Sequence, residues 1–242
     1  MAKWLEGRVI ENKHWTDALF SLRVEAPRLA FDAGQFVRIA LDEKVARPFS
    51  FVNPPDDPVL EFYGIVVPEG PLSPRLAELR AGDRLLVATN PAGFLVLREV
   101  PDAKTLWLVS TGTGIAPFLS ILRSAEPWQR FRNVVLVHAV RHARELVYQD
   151  TIRKISQEHP LRTVTFVSRE TAPGSLAGRI PAAIADGRLE SAAGVALDAA
   201  GSHVMLCGNP AMLKDATAAL AARGLRKHRR RAPGHITVES FW

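Results

Sequence analysis

From about residue 104 onward, apolar runs of strand length alternate with helical segments, and this alternation is the feature that most constrains the fold. The strand candidates span 105–110, 133–139, 163–167 and 203–207, and the helix candidates span 117–125, 144–159, 180–187 and 211–223. Strands that are buried on both faces of a parallel sheet have continuous apolar sequences. Their alternation with helices predicts a doubly wound α/β domain over residues 104–242.

The first 98 residues have a different pattern, with short strand candidates separated by turns rich in Gly, Pro and Asp. These candidates span 3–12, 18–24, 35–41, 60–67 and 84–88. Many short strands with such breaks predict an antiparallel barrel or sandwich. Residues 98–104 read as a linker, so we expect two domains, over 1–98 and 104–242.

Composition excludes several classes of protein. No stretch approaches the ~20 apolar residues of a membrane span, and the N-terminus lacks the apolar core of a secretory signal, so we expect a cytoplasmic protein. Cys207 is the only cysteine, which rules out an internal disulfide and a four-thiolate iron–sulfur cluster. His138 and His142 are four residues apart, but His138 closes an apolar strand candidate, so we expect no metal site there.

Three short motifs have the residue types that bind nucleotide-like ligands. In Arg47-Pro48-Phe49-Ser50, the arginine can bind a pyrophosphate, the phenylalanine can lie against a flat ring, and the serine can hydrogen-bond to that ring. The alternative is a strand edge that binds nothing. In Gly112-Thr113-Gly114, which follows a strand candidate, the glycines let the backbone approach a phosphate. Pro117 stands where the usual NAD fingerprint has its third glycine. The third motif, Cys207-Gly208-Asn209-Pro210, follows the last strand candidate.

These motifs, in this order and followed by the terminal Phe241-Trp242, resemble the compact bacterial branch of the ferredoxin/flavodoxin–NADP reductases. The resemblance covers essentially the whole chain. It implies an antiparallel β-barrel that binds FAD, followed by an α/β domain that binds NADP(H). The implied activity is hydride transfer between NADPH and FAD, and single-electron transfer between FAD and ferredoxin or flavodoxin.

The resemblance also implies a set of FAD-binding residues, which are Arg47, Pro48, Phe49, Ser50, Tyr63, Pro71, Leu72, Ser73, Thr113, Phe241 and Trp242. Ser73 is expected to cap a helix over 74–79 with Pro74 in its first position, which would form an anion site. Phe241 would cover the isoalloxazine face opposite Phe49, and Trp242 the adenine, although the reverse assignment stays open. The family usually has Tyr where this chain has Phe49, so ring stacking is kept and a hydroxyl is lost.

The NADP-binding residues implied by the resemblance are Val140, Arg141, Ser168, Arg169, Arg179, Asn209, Pro210 and Asp215. The three arginines would gather around the 2′-phosphate, whereas an NAD enzyme would favour an acidic residue for the free 2′-hydroxyl. The expected catalytic residues are Ser50, Cys207 and Glu239, and Glu239 is expected to form a hydrogen bond with Ser50. Cys207 would lie beside the nicotinamide without acting as a covalent nucleophile.

The net charge of +6 and the basic run over 226–231 are consistent with a docking face for an acidic ferredoxin or flavodoxin. A solvated helix end is the other reading of this run, and nucleic-acid binding is a third. We expect a monomer that binds neither nucleic acid nor membrane. One alternative function is a flavin reductase or oxygenase-component reductase of the same superfamily. The other is a non-enzymatic binder that uses the basic run.

Overall fold

The computed structural model describes residues 3–240, and these fall into two compact units. The first unit runs to Val96 and also includes Ala116–Ser124. The second comprises Leu97–Ile115 and continues from Ala125. Over the described range, no helix combines the length and the apolar composition needed to cross a membrane.

The first unit is built on a six-stranded antiparallel sheet with the order β4-β3-β6-β1-β2-β5. Its strands are β1 Trp4–His14, β2 Leu19–Glu25, β3 Phe36–Asp42, β4 Val45–Ser50, β5 Val59–Ile65 and β6 Arg84–Ala88. Just past the end of β4, Phe51 forms a bridge to Phe62 of β5, so the two edges of the sheet meet. This closure confirms the barrel. A core of Phe20, Leu22, Ile39, Phe51 and Phe62 fills its interior.

Two short helices belong to the first unit: α1 Ser73–Ala77 and α2 Ala116–Leu122. α2 follows the Gly112-Thr113-Gly114 motif in the chain, yet it packs with the barrel. Ser120 donates its hydroxyl to the carbonyl of Asn53 at 2.7 Å, and Arg123 binds Glu61 at 2.9 Å. These polar contacts hold the segment that follows β4, and the start of β5, in place.

The second unit contains a six-stranded parallel sheet with the order β10-β9-β8-β7-β11-β12. Its strands are β7 Thr105–Thr111, β8 Asn133–Val140, β9 Leu161–Val167, β10 Leu176–Ala177, β11 Ser202–Gly208 and β12 Ile236–Ser240. Its helices are α3 Glu126–Arg130, α4 Gln149–Glu158, α5 Ile180–Ala185, α6 Arg188–Ala193 and α7 Pro210–Ala222. The doubly wound architecture is confirmed. The strand order reverses between β7 and β11, and sheets of this type bind ligands at the carboxyl ends of the strands on either side of such a reversal.

Local differences from the sequence-based expectations have physical causes. The helix expected over 144–159 begins only at Gln149, because Tyr148 has a left-handed backbone with φ of 60° that no helix accommodates. The sequence does not predict strand β12, because its short segment is half polar. The strand is stabilised by its pairing with β11, which the sequence does not reveal. Helix α1 begins at Ser73 and has five residues, so it is shorter than the helix expected over 74–79.

Candidate active-site residues

Ser50 has an environment that fits a hydrogen bond to a bound ligand. It ends β4, pairs with Phe36 of β3 and is 2% exposed. Its Oγ has no hydrogen-bond partner among residues 3–240. A buried hydroxyl left without a partner costs about 1–3 kcal/mol. A ligand atom that hydrogen-bonds to this hydroxyl would remove that cost, which is compatible with the flavin contact expected of Ser50.

The other flavin-motif residues lie on the same strand or on β5. Arg47 and Pro48 are exposed, and one Arg47 nitrogen donates to the carbonyl of Ala46 at 3.0 Å. Phe49 is half-buried against the barrel core. Tyr63 lies in β5 and is 3% exposed. The strand therefore carries a guanidinium, an aromatic ring and a buried serine hydroxyl within four consecutive residues.

The expected helix cap at Ser73 is wrong. Leu72 occupies the cap position, and Ser73 and Pro74 are the first two helical residues. The Ser73 hydroxyl instead accepts the backbone N–H of Val67 at 2.9 Å, so it stabilises the preceding turn. Leu72 is buried, whereas Pro71 is exposed. Helix capping by Ser73 therefore gives no support to an anion site at this turn.

In the second unit, the two glycine motifs interlock at the carboxyl ends of β7 and β11. Thr111 accepts the backbone N–H of Asn209 on its Oγ1 at 3.0 Å. A Cβ on Gly114 would lie 2.6 Å from the carbonyl oxygen of Cys207. Gly208 has φ of 134°, and a Cβ there would overlap the Thr111 hydroxyl. Both glycines are thus required by the packing of one loop on the other, which leaves Thr113 half-buried at the end of β7.

Cys207 is fully buried, and Glu239 lies beside it on the neighbouring strand. Burial raises the pKa of the Cys207 thiol, and the nearby Glu239 carboxylate raises it further. The side chain therefore stays a neutral thiol at neutral pH. This is consistent with a role in shaping the site rather than in covalent attack, which needs a thiolate.

His138 was not assigned a role from the sequence, but the structure places it beneath the glycine motif. Its Nε2 lies 3.1 Å from the carbonyl oxygen of Gly112 and therefore carries the proton, because a carbonyl can only accept. Its Nδ1 is buried without a partner in the described chain. Burial lowers the pKa of His138 to about 4. In the same described range, no group of three or more His, Cys, Asp or Glu is arranged to hold a metal.

The structure brings two of the three expected arginines together. Arg169 donates its backbone N–H to the carbonyl of Arg141 at 3.0 Å, and Ser168 donates likewise to Val140 at 3.1 Å. Arg141 and Arg169 therefore follow the carboxyl ends of the adjacent strands β8 and β9. Arg179 occupies the cap position of α5, and no described contact joins it to the other two. All three arginines are exposed.

Two acidic residues that the sequence did not single out organise the loop that starts at Arg141. Glu145 accepts the backbone N–H groups of Arg141 and His142 at 2.9 and 3.2 Å. Glu170 accepts that of Ala143 at 2.6 Å. This N–H holds the pKa of Glu170 below its usual value, and nearby His142 adds to the effect. In the sequence, the role of these two residues is indicated only by their closeness to the arginines. That closeness does not reveal which backbone N–H groups the two carboxylates bind.

The remaining expected NADP residues lie around the start of α7. Asn209 caps this helix, because its Oδ1 accepts the N–H groups of Ala211 and Met212 at 2.9 and 3.3 Å. Pro210 is the first helical residue, and Asp215 is exposed in the second turn. Asn209 thus has a structural task that does not depend on a ligand.

Comparisons with known proteins agree with this arrangement. Residues 108–218 match the family model of the oxidoreductase NAD-binding domain. Curated relatives from Shigella flexneri and Escherichia coli strain K12, both named flavodoxin/ferredoxin–NADP reductase, are each 52% identical over the full length of both chains. The chain belongs to the flavodoxin/ferredoxin–NADP reductase family. A crystal structure of a family member, a ferredoxin NADP⁺ reductase from Neisseria gonorrhoeae with bound FAD and NADP, matches with a TM-score of 0.94 and 35% identity over 99% of each chain.

Two further features were expected of this reductase: the terminal aromatic residues and the basic run. Phe241 and Trp242 lie outside the described residues. The basic run over 226–231 precedes β12, and Lys227 pairs with its first residue, Ile236. The run therefore lies at the amino edge of the parallel sheet, opposite the edge that carries the glycine motifs. Within the run, Arg230 forms an ion pair with Glu99 at 2.6 Å.

Proposed function

We propose that this protein is an FAD-dependent reductase that transfers hydride between NADPH and FAD, and single electrons between FAD and ferredoxin or flavodoxin. The observation that carries the proposal is 52% identity to curated flavodoxin/ferredoxin–NADP reductases over the full chain. The unpartnered hydroxyl of Ser50 supports the flavin site. The exposed arginines at the carboxyl ends of β8 and β9 support the nucleotide site.

FAD, when bound, supplies the chemistry that accepts a hydride and releases single electrons. In the first unit, Arg47 would bind the pyrophosphate, Phe49 would stack on the ring system, and Ser50 would hydrogen-bond to it. Charge-assisted hydrogen bonds from a guanidinium are well matched to phosphate oxygens. Phe49 and Ser50, which are half-buried and buried, would keep water away from the part of the flavin that they contact.

In the second unit, Arg141, Arg169 and Arg179 would bind the 2′-phosphate that distinguishes NADPH from NADH. Thr111 and the two interlocked glycine loops would hold the backbone against the nicotinamide end. Cys207 and Glu239 would shape that end, with Cys207 as a neutral thiol. Because separate residues would bind NADPH and FAD, substituting the arginines should change coenzyme selectivity without changing FAD content.

The first test is the visible absorption spectrum of the purified protein, followed by anaerobic addition of NADPH or, separately, NADH. Flavin bands that bleach faster with NADPH would support the proposal. Faster bleaching by NADH would favour an oxygenase-component reductase, and failure to take up added FAD would reject the flavin site. Rates of reduction of ferredoxin, flavodoxin and free FMN would then identify the preferred electron acceptor.

A second test asks whether the basic run binds the acidic redox partner. Arg229 and Arg231 are exposed and make no ion pair with any residue from 3 to 240, whereas Arg230 is held by Glu99. The double variant Arg229→Glu/Arg231→Glu therefore reverses charge without breaking that ion pair. We expect slower reduction of ferredoxin or flavodoxin at low salt and an unchanged rate with a small dye. Equal loss with both acceptors would reject docking at this run.

A further inference from the structure

The ring of Phe49 rests directly on a glycine of the opposite barrel edge. Gly64 lies inside β5, where it pairs with Phe20 of β2. A Cβ built on Gly64 would lie 2.8 Å from Cε1 of Phe49 and 3.0 Å from Cζ of Phe20. A glycine inside a strand often marks a close approach by another group, and here that group is the Phe49 ring.

A side chain at position 64 would have to move Phe49 rather than Phe20. Phe20 is 1% exposed and packed within the barrel core, whereas Phe49 is only half-buried and packs against that core. Relieving the contact would shift the ring outward by about half an ångström, enough to change a van der Waals contact on its far side. Gly64 does not have a left-handed backbone, so alanine at this position would not be strained by its own φ.

We propose that Gly64 is a positioning residue for the flavin: by accepting the Phe49 ring into the space of a missing side chain, it sets the depth at which the isoalloxazine stacks. The inference rests on the proposed FAD site. Phe49 has no hydroxyl, so no hydrogen bond from its ring tip fixes the ring. Its position therefore depends on the surface against which it packs, and that surface includes Gly64.

The test compares FAD binding by the wild-type protein and by Gly64→Ala. Apoprotein is titrated with FAD, and the dissociation constant is obtained from quenching of flavin fluorescence. We expect Gly64→Ala to weaken FAD binding by roughly 3- to 10-fold, the amount that an aromatic stacking contact contributes. The visible circular dichroism of the bound flavin should also change, because it reports the ring environment.

Gly7→Ala is the matched control. Gly7 lies in β1 of the same barrel, and a Cβ there would lie 2.6 Å from Cγ1 of Val24, away from Phe49. This variant should lower the unfolding midpoint of the apoprotein and leave the FAD dissociation constant and the flavin dichroism unchanged. An equal weakening of FAD binding by Gly7→Ala would show that any crowding of the barrel has this effect, and would overturn the proposal.

A double-variant comparison shows whether Gly64 acts through Phe49. In a Phe49→Ala background, Gly64→Ala should no longer weaken FAD binding, although its cost to the apoprotein through Phe20 should remain. The proposal fails if the two substitutions weaken binding additively, or if Gly64→Ala alone binds FAD as the wild type does. If the wild-type protein itself binds no FAD, the proposed function fails instead.

Discussion

Acidification from pH 8 to pH 5 is expected to destabilise the folded protein by about 2 kcal/mol through His138 alone. The imidazole is fully buried, and burial lowers its pKa from 6.5 to about 4. At pH 5 the unfolded chain therefore binds a proton at this residue, whereas the folded protein does not. The stability that the neutral imidazole contributes is complete above pH 6.5 and is lost as the pH falls toward 4.

The informative variant is His138→Gln, which removes the titrating group and keeps an N–H donor for the carbonyl of Gly112. The free energy of unfolding is measured in urea at both pH values, with excess FAD present. We expect the variant to lose about 2 kcal/mol less than the wild-type protein over this interval. His203 is also buried, with a pKa lowered to about 3, but it is present in both proteins and cancels in the difference.

Equal losses of stability for the two proteins would refute this reasoning. A direct check is an NMR titration of the imidazole carbon in protein labelled at histidine. A resonance assigned to His138 that titrates near 6.5 would show that water or a charge reaches the ring.

Three further substitutions test separate contacts. Arg169→Ala should raise the KM for NADPH by roughly 10- to 100-fold and leave that for NADH nearly unchanged in steady-state assays, since a charge-assisted hydrogen bond contributes about 1.5–3 kcal/mol. Thr111→Val should cost about 0.5–1.5 kcal/mol of unfolding free energy, because an exposed hydrogen bond from the N–H of Asn209 is lost, and Thr111→Ser should restore most of it. Ser120→Ala should cost about 1–3 kcal/mol in urea denaturation, because the buried carbonyl of Asn53 loses its donor, whereas the exposed helical control Ser156→Ala should cost less than about 0.5 kcal/mol.

Much of the fold was predictable because its signals are local. The continuous apolar strands of the second unit, such as 105–110, indicate a sheet covered on both faces. The predicted helix over 144–159 failed at Tyr148, because the turn there depends on a single backbone conformation that residue type does not reveal. The predicted helix cap at Ser73 was wrong for a related reason. Its hydroxyl has two possible partners, and the tertiary structure of the turn determines which one it binds.

The sequence alone determined the motif order, and with it the family, the α/β domain and the pairing of an FAD motif with an NADP motif. These follow from residue types at short spacing, which act through local geometry. The tertiary structure decided which residues support the motifs from a distance. Gly64 is 15 positions from Phe49, and His138 is 26 positions from Gly112. Strand pairing brings these partners together. The space left by the missing Cβ of Gly64, and the buried, unpaired nitrogen of His138, exist only once neighbouring strands have packed.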